Sequence, residues 1–321
     1  MGALPKQTRQ GYVDALIELA PQIPGLVVLD ADVAKATKTC DFEKKFPDRF
    51  FNCGTAEQNE LSVAAGLALE GLIPFATTFA VFATGRAGDQ LRSSICYPKA
   101  NVKVVGGHGG ISTGGDGASH QACEDIAIAR AMPNLTVLVP GDYEEARRAT
   151  IAAAHYYGPV YLRLGRDNYP VVPELHGEFV IGRAKLLRSG GDITLVSTGI
   201  MAAEVLAAAG ELAQRGISAR VLHYPTIKPL EASPLIAAAR ETRGFVTAEE
   251  HSVIGGLGES VAGILSQAGF PAIVRRVGVN DTFGESGTAA ELLDKYGLRA
   301  RDVVREARII MSAERGATLP A

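Results

Sequence analysis

The sequence contains no tryptophan and only four cysteines, Cys40, Cys53, Cys96 and Cys123, in 321 residues. None of them has paired metal-motif spacing and each lies in a segment that reads as buried, which excludes a disulfide scaffold and predicts reduced core thiols. Long apolar runs are also missing: nothing approaches the roughly 18 uninterrupted apolar residues of a membrane-spanning helix. No apolar core follows the first charges at the N-terminus, so no secretory leader is expected. A myristoylation signal beginning at Gly2 is excluded because Lys6 stands where Ser or Thr is needed. Excess charge is scarce. At a net charge of −3, with no basic stripe to neutralise phosphates, nucleic acid is not expected as the main partner, although small anions can still be bound locally. Repeats, heptads and low-complexity tracts are absent. These absences leave a cytoplasmic protein with no membrane partner as the expectation.

What is present fits a compact α/β protein: 47% hydrophobic residues and 36 glycines, in a chain long enough for about two domains with full cores. Helix and strand signals alternate. Helices are predicted over 12–19, 57–70, 86–94, 124–131 and 143–155, and strands over 25–29, 50–53, 75–78, 102–105, 136–139 and 159–164. An irregular connection, rich in Pro and Gly, is expected over 167–187. A second alternation follows: strands at 193–196, 219–223, 245–247 and 273–277, and helices at 202–214, 258–267, 291–295 and 301–313. The last seven residues read as loose. The pattern predicts two doubly wound domains with mainly parallel sheets, over 1–175 and 191–321, joined by a linker over 176–190.

Within the first alternation, Gly54-Thr55-Ala56-Glu57-Gln58 puts one acidic residue between a strand end and an apolar helix whose Leu61, Ala64, Ala65, Ala68 and Leu69 recur at helical spacing. A helix N-terminus favours the ionised form of Glu57, while apolar neighbours desolvate it and disfavour that form. Opposed influences of this kind suit a proton-sharing acid. On that segment alone, a first-turn glutamate with no chemical role is the simpler reading. Two further segments change the balance. Thr78-Phe79-Ala80-Val81-Phe82 places two aromatic rings three positions apart, and the stretch from His108 to Gln121 surrounds Asp116 with glycines and two histidines, His108 and His120. Packing alone does not ask for such a loop.

Taken in order and spacing, the Gly-x-x-Glu-Gln turn, the Thr-Phe-x-x-Phe pair and the Asp-Gly-x-x-His-Gln loop resemble the pyrimidine-binding domain of the transketolase family of thiamine diphosphate enzymes. Glu249-Glu250-His251 and Gly255-Gly256-Leu257-Gly258 look like that family's C-terminal domain, so the resemblance spans essentially the whole chain. The family holds the cofactor's diphosphate through a divalent metal on a Gly-Asp-Gly motif followed by Asn-Asn. Gly115-Asp116-Gly117 imitates its start, but the window from Asp142 to Arg147 has no Asn pair, and no metal ligands are expected here. The resemblance therefore implies the C-terminal subunit of a split transketolase. Its partner, an N-terminal subunit in an α2β2 heterotetramer, supplies the diphosphate domain and the Mg²⁺ or Ca²⁺ site.

The resemblance also implies roles. Glu57 bonds N1′ of the aminopyrimidine of thiamine diphosphate and promotes formation of the thiazolium ylid; Phe79 and Phe82 flank the pyrimidine, with Phe82 as the stacking ring. His120 serves the hydroxyls where carbon-carbon cleavage occurs, and His108 leans towards the acceptor. Asp116 recognises a hydroxyl beside the donor carbonyl. Arg166, with Arg163 as fallback, and Arg9 grip an acceptor phosphate. The implied reaction moves a two-carbon ketol unit from a ketose to an aldehyde, through an enamine, on sugar or sugar-phosphate substrates. Deoxyxylulose-phosphate-synthase-like chemistry, a 2-oxoacid dehydrogenase β-subunit and a non-catalytic scaffold are the alternatives. Four positions depart from the family pattern. Asp30 stands where a phosphate-binding Ser is common and would repel a phosphate if it faced the site. Gly85 and Gly88 stand where relatives place an aromatic residue, and Gly115 replaces a usual Glu.

Overall fold

The computed structural model describes residues 4–312. The tail read as loose, 315–321, lies outside them, as do Met1 and Gly2. Two mainly parallel sheets carry the fold. The first takes its strands from β1 (Leu26–Asp30), β2 (Phe50–Asn52), β3 (Ile73–Phe79), β4 (Lys103–Gly107), β5 (Thr136–Leu138) and β6 (Val160–Arg163). The second is built from β7 (Lys185–Arg188), β8 (Ile193–Ser197), β9 (Ala219–His223), β11 (Gly244–Ser252) and β12 (Ile273–Val279). A short strand between them in sequence, β10 (Thr226–Lys228), joins the first sheet. Strand order is β10-β5-β6-β4-β3-β1-β2 in one and β12-β11-β8-β9-β7 in the other. Runs such as Leu26-Val27-Val28-Leu29 and Ile193-Thr194-Leu195-Val196 are buried at every position, because helices cover both faces of a parallel sheet.

Among the described residues, two strand pairings within the sheets are antiparallel, and both lie at sheet edges. β7 pairs with β9 through Lys185 opposite His223, inside the stretch expected to be irregular. Lys-Leu-Leu-Arg is too short, and as a half-exposed edge too polar, to give a strand signal. β10 pairs with β5 through Thr226 opposite Leu138, so the later half of the chain completes the first sheet. One core cluster crosses between the halves accordingly, joining Val104, Ile126 and Val137 to Val196, Tyr224 and Phe245.

Other differences are local. The first helix begins at Thr8 and packs on the helix Tyr143–His155, close enough that a Cβ on Gly11 would lie 2.1 Å from the Tyr143 carbonyl oxygen. Sequence periodicity misses this start because the contact needs a glycine where a helix face would show an apolar side chain. The helix Ser233–Glu241 was not anticipated. The single helix expected over 86–94 is instead wound in wide π-type turns at Phe82–Arg86 and Leu91–Cys96 around a short α turn, a local irregularity frequent at functional sites. All four cysteines are free; Cys96 and Cys123 are buried as expected, but Cys40 and Cys53 are only partly so. Among the described residues no helix is long and apolar enough to cross a membrane.

Candidate active site

The site lies where parallel strands of the first sheet end, the usual place for ligands on such a sheet. Asp30 closes β1, Phe79 closes β3, and His108 follows β4. Glu57 opens the helix Glu57–Leu69, which fully buried Leu61 and Ala64 anchor; burying a leucine is worth about 1.5–3 kcal/mol. Leu69, expected on the same face, is instead mostly exposed.

The Glu57 carboxylate is 2% exposed and accepts two hydrogen bonds from Arg86 Nη1, at 3.1 and 2.9 Å. The Arg86 guanidinium also lies over the Phe82 ring, 4.3 Å from its centroid. Phe82 and Phe79 stand 6.1 Å apart, centroid to centroid, and His120 meets both rings edge-on at 5.3 and 5.6 Å. His108 stacks closer on Phe79, at 4.1 Å, and its backbone is held at φ +60°. Burial, reinforced by the charges of Arg9, Arg166 and His120, pushes its imidazole down to about 3, so it is neutral at physiological pH. Its Nδ1 is buried without a hydrogen-bond partner among the described residues. The His120 Nδ1 is 2.9 Å from the Ser119 hydroxyl.

A cavity of about 530 Å³ is lined by Arg9, Lys35, Ala36, Phe79, His108, Asp116, His120 and Arg166. The structure thus brings together all the residues expected to bind substrate, with Phe79. Glu57 and Phe82 lie beyond its lining, reached through Phe79. Arg166 Nη1 donates to the Thr113 carbonyl at 2.6 Å and stands 3.6 Å from Asp116. Arg9 donates to the Ala36 carbonyl and to Gln7. Burial first, and then the neighbouring Arg166 charge, lower the Arg9 guanidinium below its ordinary value. The fallback, Arg163, faces elsewhere: it is buried in an ion pair with Asp125 at 2.8 Å.

Asp30 does not meet the condition under which it would repel a phosphate. Its carboxylate is fully buried and accepts from the Val33 amide at 2.6 Å and the Thr37 and Thr39 hydroxyls at 3.1 and 2.7 Å. Instead of repelling an anion in the cavity, it folds the turn that presents Lys35 there. Lys35 escaped sequence reasoning because a lone lysine five positions after a strand end carries no signal. Arg86 also escaped it, although it is the first cation after the aromatic pair. A Cβ on Gly85, Gly88 or Gly115 would meet nothing within 4 Å, so a larger side chain has room at each of these positions. Asp142, in the window lacking the Asn pair, caps the helix Tyr143–His155 by accepting from the Glu145 amide. No group of three or more His, Cys, Asp or Glu among the described residues is placed to hold a metal.

Two family models match the chain: the transketolase pyrimidine-binding domain over residues 5–172 and the transketolase C-terminal domain over 182–303. The chain belongs to the transketolase family. Members of that family depend in general on thiamine diphosphate. A putative transketolase C-terminal section from Methanocaldococcus jannaschii is 46% identical, covering 94% of this chain and 95% of its own length. The 6-deoxy-6-sulfo-D-fructose transketolase subunit SqwH of a Clostridium species is 44% identical over 93% and 92%. A solved structure described as a split gene transketolase, inactive beta4 tetramer, is 52% identical, with a TM-score of 0.87, over 95% of this chain and 97% of that one. The chain is accordingly a subunit of the split transketolase type.

The residues present fit thiamine diphosphate at its pyrimidine end. A buried carboxylate at a helix start, with the Phe82 ring beside it across Arg86, makes up a surface for a flat, polar heterocycle.

Proposed function

We propose that this chain is the subunit of a split transketolase that contributes the pyrimidine end of the cofactor site and most of the substrate site. A partner subunit would supply the diphosphate-binding domain and its Mg²⁺ or Ca²⁺, in an α2β2 assembly. The observation that carries this reading is the alignment, along one line of strand ends, of a buried carboxylate, two aromatic rings, two histidines and a cationic far end.

Glu57 would hold the proton shared with the aminopyrimidine, and Phe82 and Phe79 would flank that ring. When bound, thiamine diphosphate supplies a nucleophilic thiazolium carbon and an electron sink for the two-carbon unit. His120, beside both rings, is placed to accept the donor hydroxyl proton as the carbon-carbon bond breaks and to return it to the new hydroxyl. His108, held neutral, can donate or accept at an acceptor oxygen. Asp116 takes a donor hydroxyl. Arg9, Lys35 and Arg166 would face an anionic tail on the substrate, and the sulfonated ketose in the Clostridium relative's name is in keeping with a tail other than a phosphate.

Purified chain mixed with the product of its neighbouring gene, thiamine diphosphate and Mg²⁺ should exchange ketoses and aldoses, and neither protein should do so alone. Absence of exchange over a broad panel of neutral and anionic sugars, with cofactor demonstrably bound, would overturn the proposal. Release of CO₂ from pyruvate would assign the chain to the 2-oxoacid or deoxyxylulose-phosphate branch instead.

A further inference from the structure

The loop that carries His108, Asp116 and His120 is held in part from the other half of the molecule. Along β11, side chains alternate between faces, and three successive residues are divided accordingly. Glu249 accepts from the Leu257 and Gly258 amides at 2.7 and 2.8 Å, securing the start of the helix Leu257–Gln267. His251 Nε2 accepts from the Ala127 amide at 3.3 Å. Glu250, between them, reaches the loop instead: its Oε1 accepts from the Ser112 amide at 2.5 Å. Glu250 is 3% exposed, so removing the carboxylate takes away the acceptor that the buried Ser112 amide uses.

The fit around this carboxylate is close. Gly110 sits at φ +87°, and a Cβ there would lie 2.3 Å from the Glu250 carboxyl carbon. Arg163 fixes the base of the same arrangement, donating to the Ala122 and Glu250 carbonyls at 2.9 and 2.9 Å and to Asp125. Beyond Ser112 the contacts lead directly to the cavity. Thr113 Oγ1 donates to the His108 carbonyl at 2.7 Å, and the Thr113 carbonyl accepts from Arg166. The Ser112 hydroxyl is 2.8 Å from the Tyr169 hydroxyl, whose segment follows Arg166.

We propose that Glu250 is a positioning residue: by holding the Ser112 amide from the second sheet, it sets the loop geometry that presents His108 and Arg166 to the acceptor end of the substrate. The inference rests on the transketolase reading of the cavity and gives the C-terminal half a part in substrate binding.

The test compares Glu250→Ala, Glu250→Asp and Glu250→Gln in the full chain. Asp keeps a charge beside Arg163 but is one methylene too short to reach Ser112, whereas Gln keeps the acceptor and the length. Amide hydrogen exchange of segment 109–116, measured on the chain alone, should accelerate in the Ala and Asp variants and stay near wild type in Gln. In complex with the partner, KM for an anionic acceptor should rise about tenfold in Ala and Asp, the loss expected for one buried hydrogen bond, with kcat changed far less and Gln within about twofold. Unchanged exchange in Asp, or faster exchange with unchanged KM, would overturn the proposal; if Ala does not fold, Asp and Gln decide alone. A wild-type complex without ketol exchange would sink the functional reading, and the exchange measurement would still judge the brace by itself.

Discussion

At one end of the site, Glu57 meets a cation of its own chain, with both carboxylate oxygens within 3.1 Å of Arg86 Nη1. At the other end, Arg9, Lys35 and Arg166 line one cavity, and Asp116, 3.6 Å from Arg166, is the only carboxylate among the lining residues. The first end is electrostatically closed and the second is left with a surplus. A buried carboxylate without a partner is costly, so the Glu57 end must be compensated in the free chain. Exposed lysines and half-exposed arginines cost little unpaired, so the cationic end can stay uncompensated until an anion arrives. The difference separates the two jobs proposed here: proton sharing at a preset carboxylate, and recognition of charge at the far end.

The largest expected effect falls on the compensated end. Glu57→Gln should lower ketol transfer by about 10²–10⁴-fold in the assembled enzyme while the complex still forms, measured by turnover and by co-elution of the two subunits. A variant that kept activity would make this chain a scaffold and erase the distinction between the ends. Arg166→Met comes next. It should raise KM for an anionic acceptor by about 10–100-fold, with little change for a neutral aldehyde; equal losses on both acceptors would show that the cations hold the loop and not the substrate. Lys35→Met should act in the same sense but more weakly, below about tenfold, because an exposed ammonium is screened; raising the ionic strength should shrink the difference from wild type. A Lys35 effect that ignores salt would argue against a direct charge contact.

The smallest effect is one of pH. His108 is held down at about 3 in the folded chain against an ordinary 6.5, so between those values the unfolded chain binds a proton that the native chain does not. Its contribution to stability is therefore complete above about pH 6.5 and is lost progressively as pH falls towards about 3. The unfolding midpoint should decline on acidification from pH 6.5 to 4, less steeply in His108→Gln than in wild type. Matching slopes would mean that this imidazole titrates freely and that the cationic end does not press on it.

Much of this architecture was legible in the order of residues. The helix Tyr143–His155 and the strand Ala219–His223 lie where periodicity put them, because a buried sheet and the helices covering it impose their repeats on each segment separately. The short edge strands β7 and β10 were not legible: an edge strand owes its existence to the neighbour it pairs with, and that neighbour is distant in sequence. In the site, Phe79, His108, Asp116, His120, Arg9 and Arg166 could be named beforehand because each stands in a motif. Lys35, Arg86 and Glu250 could not be assigned their contacts, since each meets its partner through a turn, a π-wound segment or a strand of another sheet.

Asp30 shows the same division. Its identity and place at a strand end come from the chain alone, and from these a carboxylate that would repel a phosphate, if it faced the site, could be named. Its effect depended on which way the side chain turned. That was decided by the hydroxyls of Thr37 and Thr39 and the Val33 amide, which together replace the water a buried carboxylate gives up. Residue types, their periodicity and their motifs carry the layers of the fold and the kind of chemistry available. The charge balance of the cavity, the pairing of Glu57 with Arg86 and the hold of the second sheet on the histidine loop exist only once distant segments are packed, because each is set by distance and desolvation and not by spacing along the chain.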